Sequence, residues 1–437
     1  MKYVGFPMIA AGLIALAGGL PVFGVIPRAA SLWAFFLLAV PGSIMIFAAR
    51  HMCRPAGIDN NEIARDGTTS IGIKGVALTI LLTIFYIVIF FADKIPLGGG
   101  ANLNQLLTAH FFSAFDPISE FLRGKPANRW FFYGLFYTAM VLIFGARMLM
   151  KYRDNRYQML RTSSVMFVQL GFAFLFPALL ELLHKPEFYF SYFWPLKFEY
   201  LWPGTWAKMG AGIGAYFLFF GAFMSFIAVP ILTYFFGKRW YCSWVCGCGA
   251  LAETMGDPFR QLSSKSLGAW KLERIMVHSI LVVIVLATGL LWINSFAGGK
   301  ILGVVSHSLA KYYGLFIGLV FSGVVGVGFY PLLGSRVWCR FGCPQAAILG
   351  ILQKYFSRFR ITVNGGQCIS CGNCSVYCEM GIDVRWYAQR EQNVVRASCV
   401  GCGICSAVCP RGVLRLENGP VAGRTDNFRL KDLASLR

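Results

Sequence analysis

Two cysteine runs near the carboxyl terminus constrain this chain more than any other feature. The first run is Cys368-Ile-Ser-Cys371-Gly-Asn-Cys374 with Cys378, and the second is Cys399-Val-Gly-Cys402-Gly-Ile-Cys405 with Cys409. Both have the spacing C-x2-C-x2-C-x3-C, which supplies thiolates that wrap a [4Fe–4S] cluster. The sequence therefore predicts two [4Fe–4S] clusters in its last quarter.

The fourth cysteine of each run is expected to bind the other cluster, as it does where two such runs share one domain. The predicted ligand sets are Cys368, Cys371, Cys374 and Cys409 for cluster 1, and Cys399, Cys402, Cys405 and Cys378 for cluster 2. A zinc ribbon, the main alternative, pairs two C-x2-C groups and has no use for a third and fourth cysteine in each run. Glu379 follows Cys378 where a proline is usual. Proline is no ligand, so only the local turn is in question.

Long apolar segments place the rest of the chain in a membrane. Of the 437 residues 57% are hydrophobic and 14% are charged, and several runs exceed the roughly 18 apolar residues that span a bilayer. Eight transmembrane helices are predicted, near residues 6–26, 31–49, 73–92, 130–150, 162–183, 210–236, 275–296 and 311–333.

The predicted fold is an α-helical polytopic membrane protein with a small α+β domain that resembles bacterial ferredoxins with two [4Fe–4S] clusters. We divide the chain into a four-helix region (1–160), a four-helix core (161–358), and the ferredoxin-like domain with its tail (359–437).

Basic residues predict the orientation. The formal net charge is +21, and Lys and Arg accumulate after the even-numbered spans; residues 335–437 hold 14 Lys and Arg against 6 Asp and Glu. Because such residues collect on the cytoplasmic side, both termini and the ferredoxin-like domain are expected in the cytoplasm, below the inner membrane. No nucleic-acid partner is expected, since most aromatic residues lie in the apolar spans rather than on a basic folded module.

Two more cysteine groups stand where the sixth and eighth spans end. They are Cys242-Ser-Trp-Val-Cys246-Gly-Cys248 and Cys339-Arg-Phe-Gly-Cys343-Pro344. Residues four apart share one face of a helix, so each C-x3-C pair is expected to present two thiolates in one direction.

Together, Cys242, Cys246, Cys339 and Cys343 would hold a third iron–sulfur cluster or a soft metal such as Cu(I) or zinc. Cys248 is the alternative to Cys246 as a ligand. The alternative for the whole group is that these are buried, reduced thiols.

The order of these motifs over residues 206–415 resembles the NapH/NosR/CcoG-type membrane polyferredoxins. The resemblance implies electron transfer: a quinol dehydrogenase subunit in the NapH type, an accessory electron donor in the NosR type, and a copper-handling reductase in the CcoG type. This chain departs from the pattern at Gly247, which replaces a proline, at the extra thiol of Cys248, and in its four leading spans. The flavin domain of the NosR type and the immunoglobulin-like extension of the CcoG type are not expected here.

The resulting hypothesis is a membrane-bound relay between the quinone pool, or another membrane carrier, and a partner redox protein or flavoprotein subunit. It would be an electron-transfer subunit of an oxidoreductase of the quinol dehydrogenase type. The alternative is a copper-handling or metalloenzyme-maturation reductase of the CcoG/NosR kind. Glu181 and His184, at the outer end of the fifth span, are candidates for a quinone site because quinol oxidation releases protons. Contact with lipid headgroups is the alternative role.

The outer loops are rich in aromatic residues. Residues 188–195, Phe-Tyr-Phe-Ser-Tyr-Phe-Trp-Pro, are expected to anchor the protein at the level of the lipid headgroups. Residues 98–124 contain an amphipathic stretch that is expected to lie along the outer surface.

Overall fold

The computed structural model describes residues 2–18, 27–52, 56–57, 72–98, 101–301 and 303–418. The end of the first predicted span and the tail beyond Asn418 lie outside the described residues. Among the described residues, seven helices are long and apolar enough to cross a membrane, and an eighth apolar helix, Tyr3–Ala17, is shorter. This agrees with the predicted polytopic α-helical fold.

The first part of the chain is built from long helices, with several short elements between the third and the fourth of them. In chain order its elements are α1 (Lys2–Gly18), α2 (Arg28–His51), α3 (Ile73–Phe91), β1 (Pro96–Gly98), β2 (Ala101–Asn102), α4 (Leu103–His110), α5 (Asp116–Arg123), α6 (Arg129–Lys151) and α7 (Arg156–Leu182). Asn128 and Asn155 precede α6 and α7 and cap them, because each side chain accepts a hydrogen bond from the backbone N–H three residues on.

The second part contains three more crossing helices and several short ones. Its elements are α8 (Pro203–Met209), α9 (Ile213–Phe236), α10 (Arg239–Cys242), α11 (Gly247–Glu253), α12 (Leu267–Phe296), α13 (Val305–Val325), α14 (Tyr330–Leu333) and α15 (Pro344–Tyr355). The division at residues 160 and 161 stays a prediction, although α7 already begins at Arg156.

The ferredoxin-like domain is small and of the α+β class. Its elements are β3 (Phe359–Val363), α16 (Asn373–Val376), α17 (Val384–Gln389), α18 (Ile404–Ala407) and β4 (Leu414–Asn418). The two strands pair antiparallel, with Phe359 opposite Asn418 and Val363 opposite Leu414. Each cysteine run forms a loop followed by one short helix, α16 or α18.

This domain shares its hydrophobic core with the membrane helices. Val229 of α9 and Leu349 of α15 belong to the same buried cluster as Ile361, Val363 and Leu414. The domain is therefore seated directly on the ends of these helices. We call that end of the bundle the ferredoxin side, and the other end the opposite side.

Residues 185–197 form a re-entrant segment that the sequence did not predict. It follows the end of α7 on the opposite side, yet the hydroxyl of Tyr241, on the ferredoxin side, donates a hydrogen bond to the carbonyl of Ser191 at 3.0 Å. Phe193 is 1% exposed and its ring lies 4.9 Å from that of Tyr241. Non-helical backbone at this depth is tolerated where protein surrounds it. The expected headgroup anchoring is therefore wrong for Phe188 and Phe193, which are both buried inside the protein.

Candidate metal centres

The two cysteine loops of the ferredoxin-like domain have the same backbone shape. Positive φ angles recur 31 positions apart, at Ser370 and Gly401, at Gly372 and Gly403, and at Gly381 and Gly412. A left-handed conformation costs an ordinary residue about 1–2 kcal/mol, which explains the glycines. The repeated conformation makes the two loops equivalent.

The predicted ligands of cluster 1 come from both runs and meet at one place. Cys368, Cys371, Cys374 and Cys409 line a single small cavity, together with Arg385 and Arg411. Cys371 is exposed, whereas Cys374 is buried. The cavity therefore lies at the surface of the domain that faces solvent.

The predicted ligands of cluster 2 lie deeper. Burial raises the pKa of the Cys405 thiol, and the nearby Cys402, Cys399 and Cys378 raise it further. Burial also raises the pKa of Cys399 to about 11 and that of Cys402 to about 12. Thiols in such surroundings become thiolates when a cation balances their charge, which the irons of a cluster do. The donor set fits a cluster, and the assignment of its ligands stays a prediction.

Side chains of the crossing helix α7, of the short helix α15 and of the turn after α10 hold the second cysteine loop through four consecutive carbonyls. Gln353 Nε2 donates to Cys399 O at 2.7 Å, Ser243 Oγ to Val400 O at 2.8 Å, Tyr157 Oη to Gly401 O at 2.8 Å, and Gln158 Nε2 to Cys402 O at 2.9 Å. Sequence reasoning missed these donors, since they are ordinary polar residues far from the loop in the chain. They fix the cluster 2 loop against α7, α15 and the turn after α10.

The C-x3-C pairs at the membrane edge do not each lie on one helix, so the expected helical presentation is wrong. Cys242 ends α10, and Cys246 is an extended residue that precedes α11. Cys339 lies in a π-helical turn, and Cys343 is an extended residue that precedes α15. A residue before proline avoids the helical conformation, which explains the break between Cys343 and Pro344.

The two pairs nevertheless come together. Cys248 packs both against the cluster of buried residues that contains Cys242 and Cys246 and against the one that contains Cys339 and Cys343. Leu196 of the re-entrant segment also packs against both. We call the five cysteines the membrane-edge thiols. The structure thus brings all five to one region, and their role as metal ligands stays a prediction.

The position of Cys246 favours it over Cys248 as a metal ligand. A hydrogen bond with the Cys248 thiol lowers the pKa of Cys246, against the effect of burial, and the backbone N–H of Gly249 lowers it further. The same hydrogen bond and burial raise the pKa of Cys248. Cys246 also occupies the same place before α11 that Cys343 occupies before α15.

Gly247 stands where the resemblance predicts proline, and the re-entrant segment explains why. A Cβ atom on Gly247 would lie 2.1 Å from the hydroxyl of Tyr192 and 2.9 Å from that of Tyr137. No other residue fits without displacing these tyrosines. The departure from the pattern follows from the packing of this chain.

A buried ion network lies between the ferredoxin-like domain and the membrane helices. Glu379 is 0% exposed, and its oxygens lie 3.1 Å from Arg260 Nη1 and 3.0 Å from Arg336 Nη2. Burial by itself would raise the pKa of Glu379, but the two arginines lower it below its usual value. Glu253 pairs with both Arg161 and Arg336.

Oxygens of Glu253 and Glu379 and the sulfur of Cys402 lie within 4.8 Å of one another. Guanidinium groups already hold both carboxylates, so this group is an ion network rather than a metal site. In the sequence, the only indication of this ion network was Glu379, which stands where a proline is usual.

The quinone-site candidates lie on the opposite side. Glu181 accepts hydrogen bonds from Arg123 at 3.2 Å and Lys125 at 3.1 Å, which fasten the residues after α5 to α7. His184 is exposed. Beside Glu181 runs an apolar groove of about 500 Å³, lined by residues that include Phe121, Phe172 and Leu179.

Two family models match parts of the chain. A 4Fe-4S dicluster domain matches residues 361–416, and a 4Fe-4S binding domain matches residues 218–266 and 314–364. Each of the latter two segments contains one C-x3-C pair. No solved structure matches the chain significantly.

The chain is also similar to parts of curated proteins. It is 26% identical to YccM of Escherichia coli K12, named an electron transport protein, over 168 residues. These residues are 37% of this chain and 46% of YccM. It is 27% identical to MauN of Methylobacillus flagellatus, named a methylamine utilization ferredoxin-type protein, over 165 residues. These residues are 36% of this chain and 54% of MauN. The chain thus spans about half the length of the curated relatives it matches.

Fold and comparisons together define a class. The chain is a multi-pass membrane protein that carries a carboxyl-terminal ferredoxin-type domain for two [4Fe–4S] clusters.

Proposed function

We propose that this protein relays single electrons between the quinone pool and a redox partner protein. One observation carries the proposal: four consecutive carbonyls, from Cys399 to Cys402, accept hydrogen bonds from residues outside the ferredoxin-like domain, two of them on the crossing helix α7, while the cavity of Cys368, Cys371, Cys374 and Cys409 lies at the surface. One predicted cluster site is fastened to the membrane part and the other faces solvent. Clusters bound there supply one-electron transfer.

The solvent-facing site has the surface that a soluble partner requires. Arg385 and Arg411 line it and are exposed, and Ile369, which follows the predicted ligand Cys368, is 59% exposed. A positive rim around an apolar centre favours an acidic partner, because complementary charge raises the rate of encounter. We propose a redox protein or flavoprotein subunit of this charge, on the cytoplasmic side of the inner membrane.

The membrane-edge thiols supply the step towards the membrane. We assign a third [4Fe–4S] cluster to Cys242, Cys246, Cys339 and Cys343, and the support is the match of a 4Fe-4S binding domain to both segments that contain these pairs. The resemblance to the NapH type supports a quinone as the membrane carrier. Glu181 and His184, beside the apolar groove, stay the candidate groups for quinone binding.

Metal analysis of the full-length protein tests this assignment. Three clusters of four irons predict about twelve irons and no copper in protein purified without oxygen. Cys242→Ala and Cys339→Ala should each remove about four irons, and the double variant should lose no more, because ligands of one site act as a unit. Additive losses, or no loss in either variant, contradict a shared site.

A copper-handling reductase is the second candidate function. The observation that favours it is the fifth thiol, since Cys248 packs against both pairs and thiolates prefer Cu(I). It predicts about eight irons and one copper, with the copper lost in Cys339→Ala while all eight irons stay. The same metal analysis therefore decides between the two functions.

A further inference from the structure

We propose that Glu379 and Arg336 form a buried electrostatic bridge between cluster 2 and the membrane-edge thiols. The bridge seats the ferredoxin-like domain on the membrane helices and sets the reduction potential of cluster 2. The inference rests on the proposed function for its biological role, and its geometry stands independently.

The bridge reaches both sites through a single side chain. Arg336 Nη2 lies 3.0 Å from Glu379 Oε1, while its Nη1 lies 3.6 Å from Cys339 Sγ and donates to Cys242 O at 3.3 Å. Glu379 follows Cys378 directly in the chain. One ion pair therefore joins the residue next to a predicted cluster 2 ligand to the thiol of Cys339 and the backbone of Cys242.

Neighbouring residues allow the guanidinium of Arg336 to reach Cys242 and hold the carboxylate of Glu379 in place. A Cβ atom on Gly249 would lie 2.0 Å from Cys242 O and 3.0 Å from Arg336 Nη1. Arg260 Nη1 holds the second oxygen of Glu379 at 3.1 Å, and its Nε lies 3.2 Å from Asp257. The carboxylate of Glu379 is thus fixed from both sides by guanidinium groups.

The asymmetry between the two cysteine runs supports a special role for Glu379. Its counterpart in the second run, Pro410, follows Cys409 at the cluster 1 cavity and is exposed. Glu379 is 0% exposed and faces the membrane helices. The chain therefore carries an ionisable residue at the position that touches the membrane part, and the usual proline at the position that faces solvent.

Charges this close act on a cluster because reduction adds one negative charge to it. A neighbouring carboxylate opposes that charge, whereas a neighbouring guanidinium favours it, and burial strengthens both effects. Removing the charge of Glu379 should raise the reduction potential of cluster 2, and removing the charge of Arg336 should lower it. General loosening of the domain would not produce shifts of opposite sign.

The test is a redox titration of the full-length protein followed by electron paramagnetic resonance. In Glu379→Gln, cluster 2 should shift to a more positive potential by at least a tenfold change in its one-electron equilibrium, which is about 59 mV. Arg336→Gln should shift it in the negative direction. Glu379→Asp keeps the negative charge, so the reduction potential of cluster 2 should stay close to that of the wild type. The potential of cluster 1 should be unchanged in all three variants.

Glu417→Gln is the matched control, since it removes the same charge from β4 of the same domain. If Glu379→Gln loses iron, the double variant Glu379→Gln/Arg336→Gln should recover it, because it removes one buried charge of each sign and leaves Glu253 paired with Arg161 and Arg260 paired with Asp257. Unshifted potentials with full iron content, or no recovery in the double variant, overturn the bridge. The titration needs neither quinone nor partner, so its result is separate from a failure of the proposed relay.

Discussion

The hydroxyl of Ser243 donates a hydrogen bond to the carbonyl of Val400 at 2.8 Å. Ser243 follows Cys242, a membrane-edge thiol, and Val400 follows Cys399, a predicted ligand of cluster 2. A path from one cysteine to the other therefore crosses one hydrogen bond and otherwise covalent bonds. This contact links the two parts of the protein directly.

Replacing Ser243 by alanine should loosen the second cysteine loop. Loss of one hydrogen bond costs about 1 kcal/mol, which corresponds to roughly fivefold faster local opening. Hydrogen exchange of the amides near residues 397–405 measures this opening, and iron content should not change. Ser406→Ala is the control, because Ser406 donates to Leu414 O inside the domain. Faster exchange at the membrane contact in Ser406→Ala alone contradicts the docking role of Ser243.

The cysteine spacing was enough to predict the ferredoxin-like domain, because ligand geometry ties residues that are close in sequence. The equivalent positive φ angles at Gly372 and Gly403 are a consequence of that spacing. Apolar run length likewise predicted the crossing helices, since a bilayer imposes that length. Their bounds agree closely at Ile73–Phe91 and Arg129–Lys151, but Leu267–Phe296 begins eight residues before the predicted start at residue 275.

Contacts between distant residues could not be predicted in the same way. Glu379 and Arg336 are 3.0 Å apart in the fold, but nothing in a single sequence pairs them. Residues 188–195 have the composition of a membrane-interface loop, and only their packing against Trp240 and Tyr241 shows that they re-enter the protein. Gly247 and Glu379 could be recognised in the sequence as departures from the usual motifs. The reasons for them lie in tertiary contacts that the sequence does not show.

The exchange of the fourth cysteines predicts which cluster each substitution removes. Cys409→Ser should damage the cluster of Cys368, Cys371 and Cys374, and Cys378→Ser should damage the other one. Each variant should lose up to about four irons. Electron paramagnetic resonance of the reduced full-length protein identifies the missing signal. Loss of the cluster in the same run as the substituted cysteine contradicts the exchange.

Gly247→Ala should destabilise the protein and disturb the membrane-edge thiols. The added methyl group would meet the hydroxyl of Tyr192 at 2.1 Å, and overpacking of this kind costs about 1–3 kcal/mol. Thermal unfolding in detergent measures the loss. Gly289→Ala in α12 is the control, because its Cβ would meet nothing within 4 Å. Equal stability of the two variants contradicts the packing argument.

The basic face around cluster 1 should control encounter with an acidic carrier. Arg411→Glu should slow reduction of the protein by a reduced flavodoxin by about tenfold or more at low salt, and the effect should shrink at high salt. Stopped-flow absorbance measures the rate. Arg358→Glu makes the same charge change at an exposed residue before β3, away from the cavity, and should have little effect. Equal slowing by both variants contradicts a specific face.

Electron flow from the ferredoxin-like domain to a membrane quinone tests the central claim most directly. The full-length protein in liposomes is reduced with dithionite, freed of excess reductant, and mixed with a quinone, which takes two electrons and two protons to become a quinol. The account predicts rapid reoxidation of clusters 1 and 2 in the wild type, and loss of that reoxidation in Cys339→Ala while about eight irons remain. Equal reoxidation in both proteins, or none in the wild type, contradicts a relay through the membrane-edge thiols.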